Sequence, residues 1–229
     1  MIKYFGHSMV QINDVLTIDP HDGGSIGLKR YYVRSKLLLL THLHYDHDAV
    51  EVVKAEEVKV KFYGEMSSDG HRIRGFKTFH DMNSGRRRGE NTVYEITAGG
   101  FKYVHLGDLG HPLSDEIVDE LRGATVLFVP AGGVTTLNPR QAAELVRLLS
   151  PRVVVPIHYW VKGLLMPLNT EEEFVTQLGW NVVRMKGEMD EGNIANNMIS
   201  YVSLVHFALH PNYVPPQLSY EFFLRVQRH

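Results

Sequence analysis

The sequence predicts an α/β (α+β) protein in which two sheets pack together with helices outside. Three observations carry this expectation. The first part of the 229-residue chain reads as short strands, and the second part alternates strands with helices. Histidines and aspartates recur where those strands end.

The elements follow in order. Ile2–Phe5 and Met9–Ile18 alternate apolar and polar residues, as antiparallel strands do, and end in the turn-rich Asp19-Pro20-His21-Asp22-Gly23-Gly24. His21 in that turn is expected to be exposed. Lys36–Leu40 is apolar enough for a buried strand. Asp48–Ala55 carries Ala49, Val50, Val52 and Val53, a spacing that predicts a short helix. Val58–Tyr63 and Ile73–Phe79 read as strands. Ala98-Gly99-Gly100 between Thr92–Thr97 and Phe101–His105 is a hairpin signal.

Ser114 can cap a helix through Leu121, and Ala124–Val129 is a buried strand. Asn138 and Pro139 open a helix through Leu149, and the β-branched Val153–Ile157 follows. Thr170-Glu171-Glu172-Glu173 reads as a capping box for a helix ending near Gly179, with Asn181–Met185 as a last strand. No low-complexity linker precedes Gly187. Residues 1–187 are therefore expected to form one domain, with 188–229 as an extension packing on the body or on a partner subunit. That extension contains the nearly all-apolar Met198–Leu209, too short to span a bilayer; the alternatives for it are packing against the body or a second subunit of a homo-oligomer, and a mobile tail.

The formal net charge of -2 gives no general surface for nucleic acid or anionic membrane. Cysteine is absent, which removes disulfides, thiolate ligands and a cysteine nucleophile together. The chain start lacks a secretory pattern, and no apolar run approaches the roughly 18 residues of a membrane span, so a cytoplasmic protein is expected.

Residues 41 to 48 read Thr-His-Leu-His-Tyr-Asp-His-Asp, directly after the apolar Leu37–Leu40. A strand followed by a ligand-rich loop can aim several side chains at one point. Imidazole nitrogens with carboxylate oxygens suit divalent zinc, manganese or iron. Candidate partners fall at other strand ends: His80, Asp108 and His158. Together they suffice for two divalent metal ions, zinc first. His42, His44 and His80 would hold one, Asp46, His47 and His158 the other, with Asp108 bridging and a water between.

This arrangement resembles the metallo-β-lactamase superfamily. The resemblance rests on Thr41-His42-Leu43-His44-Tyr45-Asp46-His47, His80, Gly107-Asp108-Leu109-Gly110 and His158. It implies a four-layer αββα sandwich with metals at one sheet edge. Tyr4-Phe5-Gly6-His7-Ser8, Asp19-Pro20, Gly85 to Asn91, Pro130 to Thr135 and Pro156-Ile157-His158-Tyr159 point to the ascorbate-6-phosphate lactonase-like branch. His71 is the alternative to His80 as the third histidine of its set.

The chemistry expected is a metal-dependent hydrolase acting on a small, anionic substrate. Hydroxide formed between two cations attacks an ester, lactone or phosphodiester. Asp46 or Asp108 orients the nucleophile, and His111 protonates the leaving group. His7 binds substrate or orients a ligand, and Arg86, Arg87 and Arg88 hold an anionic group by forked hydrogen bonds. Tyr159 walls the pocket. A di-iron oxidoreductase and a metal-binding protein without turnover are the alternatives.

Overall fold

The computed structural model describes residues 1–186, 188–189 and 204–209. β1 (Ile2–Tyr4), β2 (Val10–Ile12) and β3 (Leu16–Ile18) form an antiparallel meander. β4 (Val33–Leu40) and β5 (Val53–Val60) extend this first sheet in parallel. In the second sheet, β6 (Gly64–Ser68), β7 (His71–Phe79), β8 (Glu90–Ala98) and β9 (Phe101–His105) run antiparallel. Helix α1 (Asp115–Leu121) leads to β10 (Val126–Pro130), and α2 (Pro139–Leu149) leads to β11 (Val153–Ile157), both strands parallel to β9. Helix α3 (Glu172–Leu178) precedes β12 (Asn181–Lys186). β13 (Glu188–Met189) pairs with β1, and β14 (Leu204–Leu209) lies between β11 and β12.

Alternation along the strands explains the layers. Leu37 and Leu39 point between the sheets, where they meet Ile73, Tyr94, Ile96 and Phe128, all fully buried. Leu38 and Leu40 face the opposite way and are covered by Met9, Ala49, Val52 and Val53. A strand buried on both faces needs an unbroken apolar run, which is why Leu37–Leu40 lacks polar alternation. β10 divides in the same way. Val126 and Phe128 enter the space between the sheets, whereas Leu127 and Val129 face the helices.

Among the described residues, the three α-helices lie on the outer face of the second sheet. α2 begins with a reciprocal cap, since Asn138 Oδ1 accepts from the Gln141 backbone and Gln141 Oε1 accepts from the Asn138 backbone. It buries Ala142, Val146 and Leu149, a stripe worth about 1.5–3 kcal/mol for each large side chain.

Three local expectations are corrected. Asp48–Ala55 forms a 3-10 turn at Val50–Val52 and then enters β5, so among the described residues no α-helix covers the outer face of the first sheet. Valines of that spacing satisfy a strand as readily as a helix, and pairing along all of β4 decides between them. α3 starts at Glu172 with no side-chain cap, so Thr170 opens no capping box. β12 is not the last strand, because β14 follows it in the chain. Residue 187, the first half of Met198–Leu209 and the rest of the extension apart from β13 and β14, including Tyr220–Val226, lie outside the described residues.

Candidate metal centre

The loops after β1, β3, β4, β7, β9 and β11 converge at one edge of the sandwich. His42, His44 and His80 present ring nitrogens within 4.8 Å of one another, and so do His7, Asp46, His47 and His158 with their ligand atoms. Asp108 stands between the two groups. Its Oδ2 lies 3.0 Å from His80 Nε2 and 3.1 Å from His158 Nε2, and its Oδ1 lies 3.4 Å from His47 Nε2. All but His44 are buried.

Backbone geometry aims these groups. His7, Asp19 and His158 have φ of 53°, 47° and 49°, in the left-handed region that non-glycine residues rarely occupy. Such turns persist only where surrounding contacts enforce them. The His158 backbone donates to His7 O at 2.8 Å, tying the β11 end to the first loop. Gly107, at φ 56°, brings the chain against Thr41, and a Cβ there would lie 2.9 Å from Thr41 Oγ1. Asn91 accepts the Asp108 N–H at 3.0 Å and donates to Thr78 and Leu106 O, which fixes the backbone beneath the carboxylate.

Hydrogen bonding decides which imidazole nitrogens face the centre. The Thr41 hydroxyl donates to Asp19 Oδ2 at 2.6 Å, so its oxygen accepts from His42 Nδ1 at 2.9 Å. His42 Nε2 is left as a lone pair, buried and without a hydrogen-bond partner. His47 Nδ1 donates to Asp19 Oδ2 at 3.1 Å, and its Nε2 also lacks a hydrogen-bond partner. Asp108 Oδ1 is likewise buried and without a hydrogen-bond partner. Buried, unpartnered lone-pair atoms converging with carboxylates are what a divalent cation requires, so the donor set fits a metal.

The electrostatics agree. Burial lowers the pKa of His42 far below the ordinary histidine value, with the neighbouring His47 adding to the effect. Burial also lowers His7 to about 3. His158 is opposed by burial, but the carboxylates of Asp108 and Asp46 raise it to about 9, and they raise His47 well above the ordinary value. Asp46 and Asp108 are opposed by burial too, yet the surrounding imidazoles hold both carboxyls well below the usual range. Without a cation, protons balance the acidic charge of this pocket.

Residues 1–158 match the family described as Beta-lactamase superfamily domain. The chain belongs to the metallo-β-lactamase superfamily. Within it, a UPF0173 metal-dependent hydrolase of Thermococcus onnurineus (strain NA1) is 31% identical over 187 residues, 69% of this chain and 84% of that protein. A UPF0173 metal-dependent hydrolase of Pyrobaculum neutrophilum is 30% identical over 191 residues, 69% of this chain and 83% of that one. A Thermotoga maritima structure of the metallo-β-lactamase superfamily superposes with a TM-score of 0.62 at 31% identity, covering 76% of this chain and 84% of that one. The fold of Igni18, a metallo hydrolase from Ignicoccus hospitalis, matches over 91% of this chain and 98% of that one, with a TM-score of 0.62 and 22% identity. The protein is thus a metal-dependent hydrolase of this metallo-β-lactamase superfamily, in the UPF0173 family, and the hydrolase reading stands over the oxidoreductase and non-catalytic alternatives.

The other singled-out residues fall in several places. His71 starts β7 and bonds Asp69 O and Asn13, away from the histidine set that His80 joins. His7 Nε2 lies 2.9 Å from Asp46 Oδ2, so it orients that carboxylate. His111 accepts the Phe79 N–H at Nε2 and donates from Nδ1 to Pro112 O. Both its nitrogens are thus engaged by backbone, and it does not stand as the proton donor expected of it. Tyr159 is only 3% exposed and packs with the helix-side core, because the chain after β11 turns its ring inward; it forms no pocket wall. His21 is buried and contacts Phe5 O, where exposure was expected. Arg86, Arg87 and Arg88 are exposed on the loop after His80. No helix among the described residues is long and apolar enough to cross a membrane.

Sequence reasoning gave no role to Asp19, Asn91 or Asp81. Asp19-Pro20 stood out only as part of the family pattern. Their task is to hold ligands and loops, and nothing in their spacing announces it.

Proposed function

We propose that the protein hydrolyses an ester, lactone or phosphodiester bond of a small substrate at a centre of two divalent ions. His42, His44 and His80 would hold one ion, and Asp46, His47 and His158 the other. Asp108 would lie between them, and its placement within 3.4 Å of imidazoles from both groups carries this reading. The likeness to the ascorbate-6-phosphate lactonase branch favours a lactone among these bonds. Zinc suits the mixed imidazole and carboxylate set, with manganese or iron as alternatives.

Bound divalent ions supply Lewis acidity and bring the pKa of a water toward ~7. The chain's own residues do the positioning. Asp46, steadied by His7, and Asp108, steadied from below by Asn91, orient the attacking oxygen. Asp19 and Thr41 keep the Nε2 atoms of His47 and His42 aimed inward. Every proposed ligand but the half-buried His44 is buried, which limits bulk water at the centre.

Elemental mass spectrometry on protein purified without added metal or chelator tests the reading. It should find about two ions per chain, and turnover of a test ester or phosphodiester should vanish with chelator and return with metal. Well under one ion, unrecovered on adding metal, would overturn it. The extension is proposed to pack on the body, as the pairing of β13 with β1 and of β14 with β11 and β12 supports, or on a second subunit; size-exclusion of a chain truncated after Leu209, which keeps both strands, would test the latter.

A further inference from the structure

A cleft of about 480 Å³ opens beside the His80–Asp81 corner. We propose that this cleft is an oxyanion subsite, which binds a carboxylate or phosphate that the substrate carries apart from the bond being broken. The inference deepens the hydrolase reading and rests on it for the identity of the ligand as substrate. The affinity of the cleft for an oxyanion does not depend on the metal centre.

The first support is unspent positive charge. Arg87 and Arg88 line the cleft, and among the described residues neither guanidinium forms an ion pair. Asp81 lines it too, but its oxygens are committed to the loop. Oδ1 accepts from the Asn83 and Gly85 N–H groups, and Oδ2 accepts from those of Arg87 and Arg88. Asp81 therefore folds the loop that delivers the two arginines, and both forks remain available to an incoming oxyanion.

The opposite wall supplies hydroxyls. Thr135 Oγ1 is buried and has no hydrogen-bond partner, a costly state for a donor unless a ligand satisfies it. Thr136 Oγ1 makes only a 3.4 Å contact to Leu137 O. Between the strand end and these threonines, Val134 sits at φ 61° with 62% of its surface exposed. A β-branched residue in the left-handed region is strained, and its exposed side chain gains no burial in return. Strain that core packing does not explain clusters at binding sites.

Position ties the cleft to the chemistry. Gly110, two residues past Asp108, forms part of its floor. A Cβ on Gly110 would come 2.5 Å from the Asp81 nitrogen, so the backbones carrying Asp108 and His80 are packed together beneath it. The cleft thus abuts the backbone segments that carry two proposed metal ligands, so an oxyanion held there would lie beside the centre.

The test uses the full chain, stripped of metal with chelator, titrated calorimetrically with inorganic phosphate and separately with succinate. Wild type should bind at least one of them, and the tighter one tells phosphate from carboxylate. Arg87→Met with Arg88→Met should weaken that binding about tenfold or more, and Thr135→Val should weaken it severalfold. Circular dichroism and metal uptake serve as folding controls, and Thr135→Val carries the test alone if the double variant fails them. Equal affinity in wild type and variants, or binding abolished by His47→Asn but kept without the arginines, would overturn the proposal. So would the absence of millimolar binding to wild type. A deficit in metal content or turnover with the arginine-dependent binding intact would instead count against the hydrolase reading alone.

Discussion

Asp19 Oδ2 lies 3.1 Å from His47 Nδ1, and neither side chain has any solvent exposure. The same carboxylate takes the backbone N–H and the hydroxyl of Thr41, so one residue orients two neighbouring imidazoles. A partner behind a metal-binding imidazole fixes its tautomer and raises its basicity. Asp19→Ala should therefore lower divalent-metal affinity about 10–100-fold with little change in fold. Asp19→Asn, which keeps one acceptor oxygen, should lose less. Competition against a chromophoric chelator measures both, and unchanged affinity in Asp19→Ala would remove this positioning role.

Asp108 makes a harsher prediction, because it touches both histidine groups. Asp108→Ala should reduce metal content to one ion per chain or fewer and hydrolysis about a hundredfold or more. A variant with normal metal content and normal turnover would refute the bridging assignment.

Metal removal should also cost stability. Ions that bind only the folded state add about 2.7 kcal/mol when present at a hundred times their dissociation constant. For a chain of this size that is on the order of 5–10 °C in Tm, given about 2–4 °C per kcal/mol. Thermal melts with zinc and with chelator should separate by that amount. Coincident melts would mean that the buried imidazoles and carboxylates do not act as a cation site.

How much of this was legible in advance depends on what each residue does. Leu37–Leu40 with the following histidines displayed strand and ligand loop together, because both signals are local and dense. Asn138-Pro139 likewise predicted the start of α2, since a cap is a short-range bond. The valines at the start of β5 suit either backbone, and only pairing with β4 chooses the strand. His111 and Tyr159 differ from expectation for a related reason. A histidine after a glycine and an aromatic at a strand end look alike whether they face substrate or backbone, and the direction of the turn decides. Asp19 acts across 28 residues on His47, a distance that no motif spacing encodes.

Gly110 tests the shared wall directly. Its backbone conformation needs no glycine, but its Cα abuts the His80–Asp81 peptide, with no room for a methyl group. Backbone cannot swing aside as a flexible side chain can. Gly110→Ala should cost about 1–3 kcal/mol in stability and displace His80. Metal content should fall more than the loss of stability explains, read by comparing urea unfolding with elemental analysis. Wild-type stability and metal content together would show that the contact relaxes freely.

Tyr94 predicts the alkaline limit of the fold. Its hydroxyl donates to Leu40 O at 3.1 Å and accepts from the Phe62 N–H at 3.0 Å, in the space between the sheets. Burial pushes its pKa well above the ordinary 10.0, and the Phe62 bond only partly offsets that. A group whose folded pKa is raised stays protonated in the native state while the unfolded chain ionises. Its stabilising effect is therefore complete below pH 10 and is lost progressively as pH rises beyond that value toward the folded pKa. Urea unfolding from pH 8 to 11.5 should show stability falling only at the upper end. Tyr94→Phe leaves the part-buried Phe62 N–H unpartnered, while Leu40 O still accepts from the Lys61 N–H, and should cost about 1–3 kcal/mol at pH 8. It should also make the alkaline decline shallower, by up to about 1.4 kcal/mol per pH unit. Other buried tyrosines, including Tyr103, are raised by burial as well, so a residual slope should survive. An unchanged slope in Tyr94→Phe would show that this phenol ionises as readily in the folded protein as in the unfolded chain.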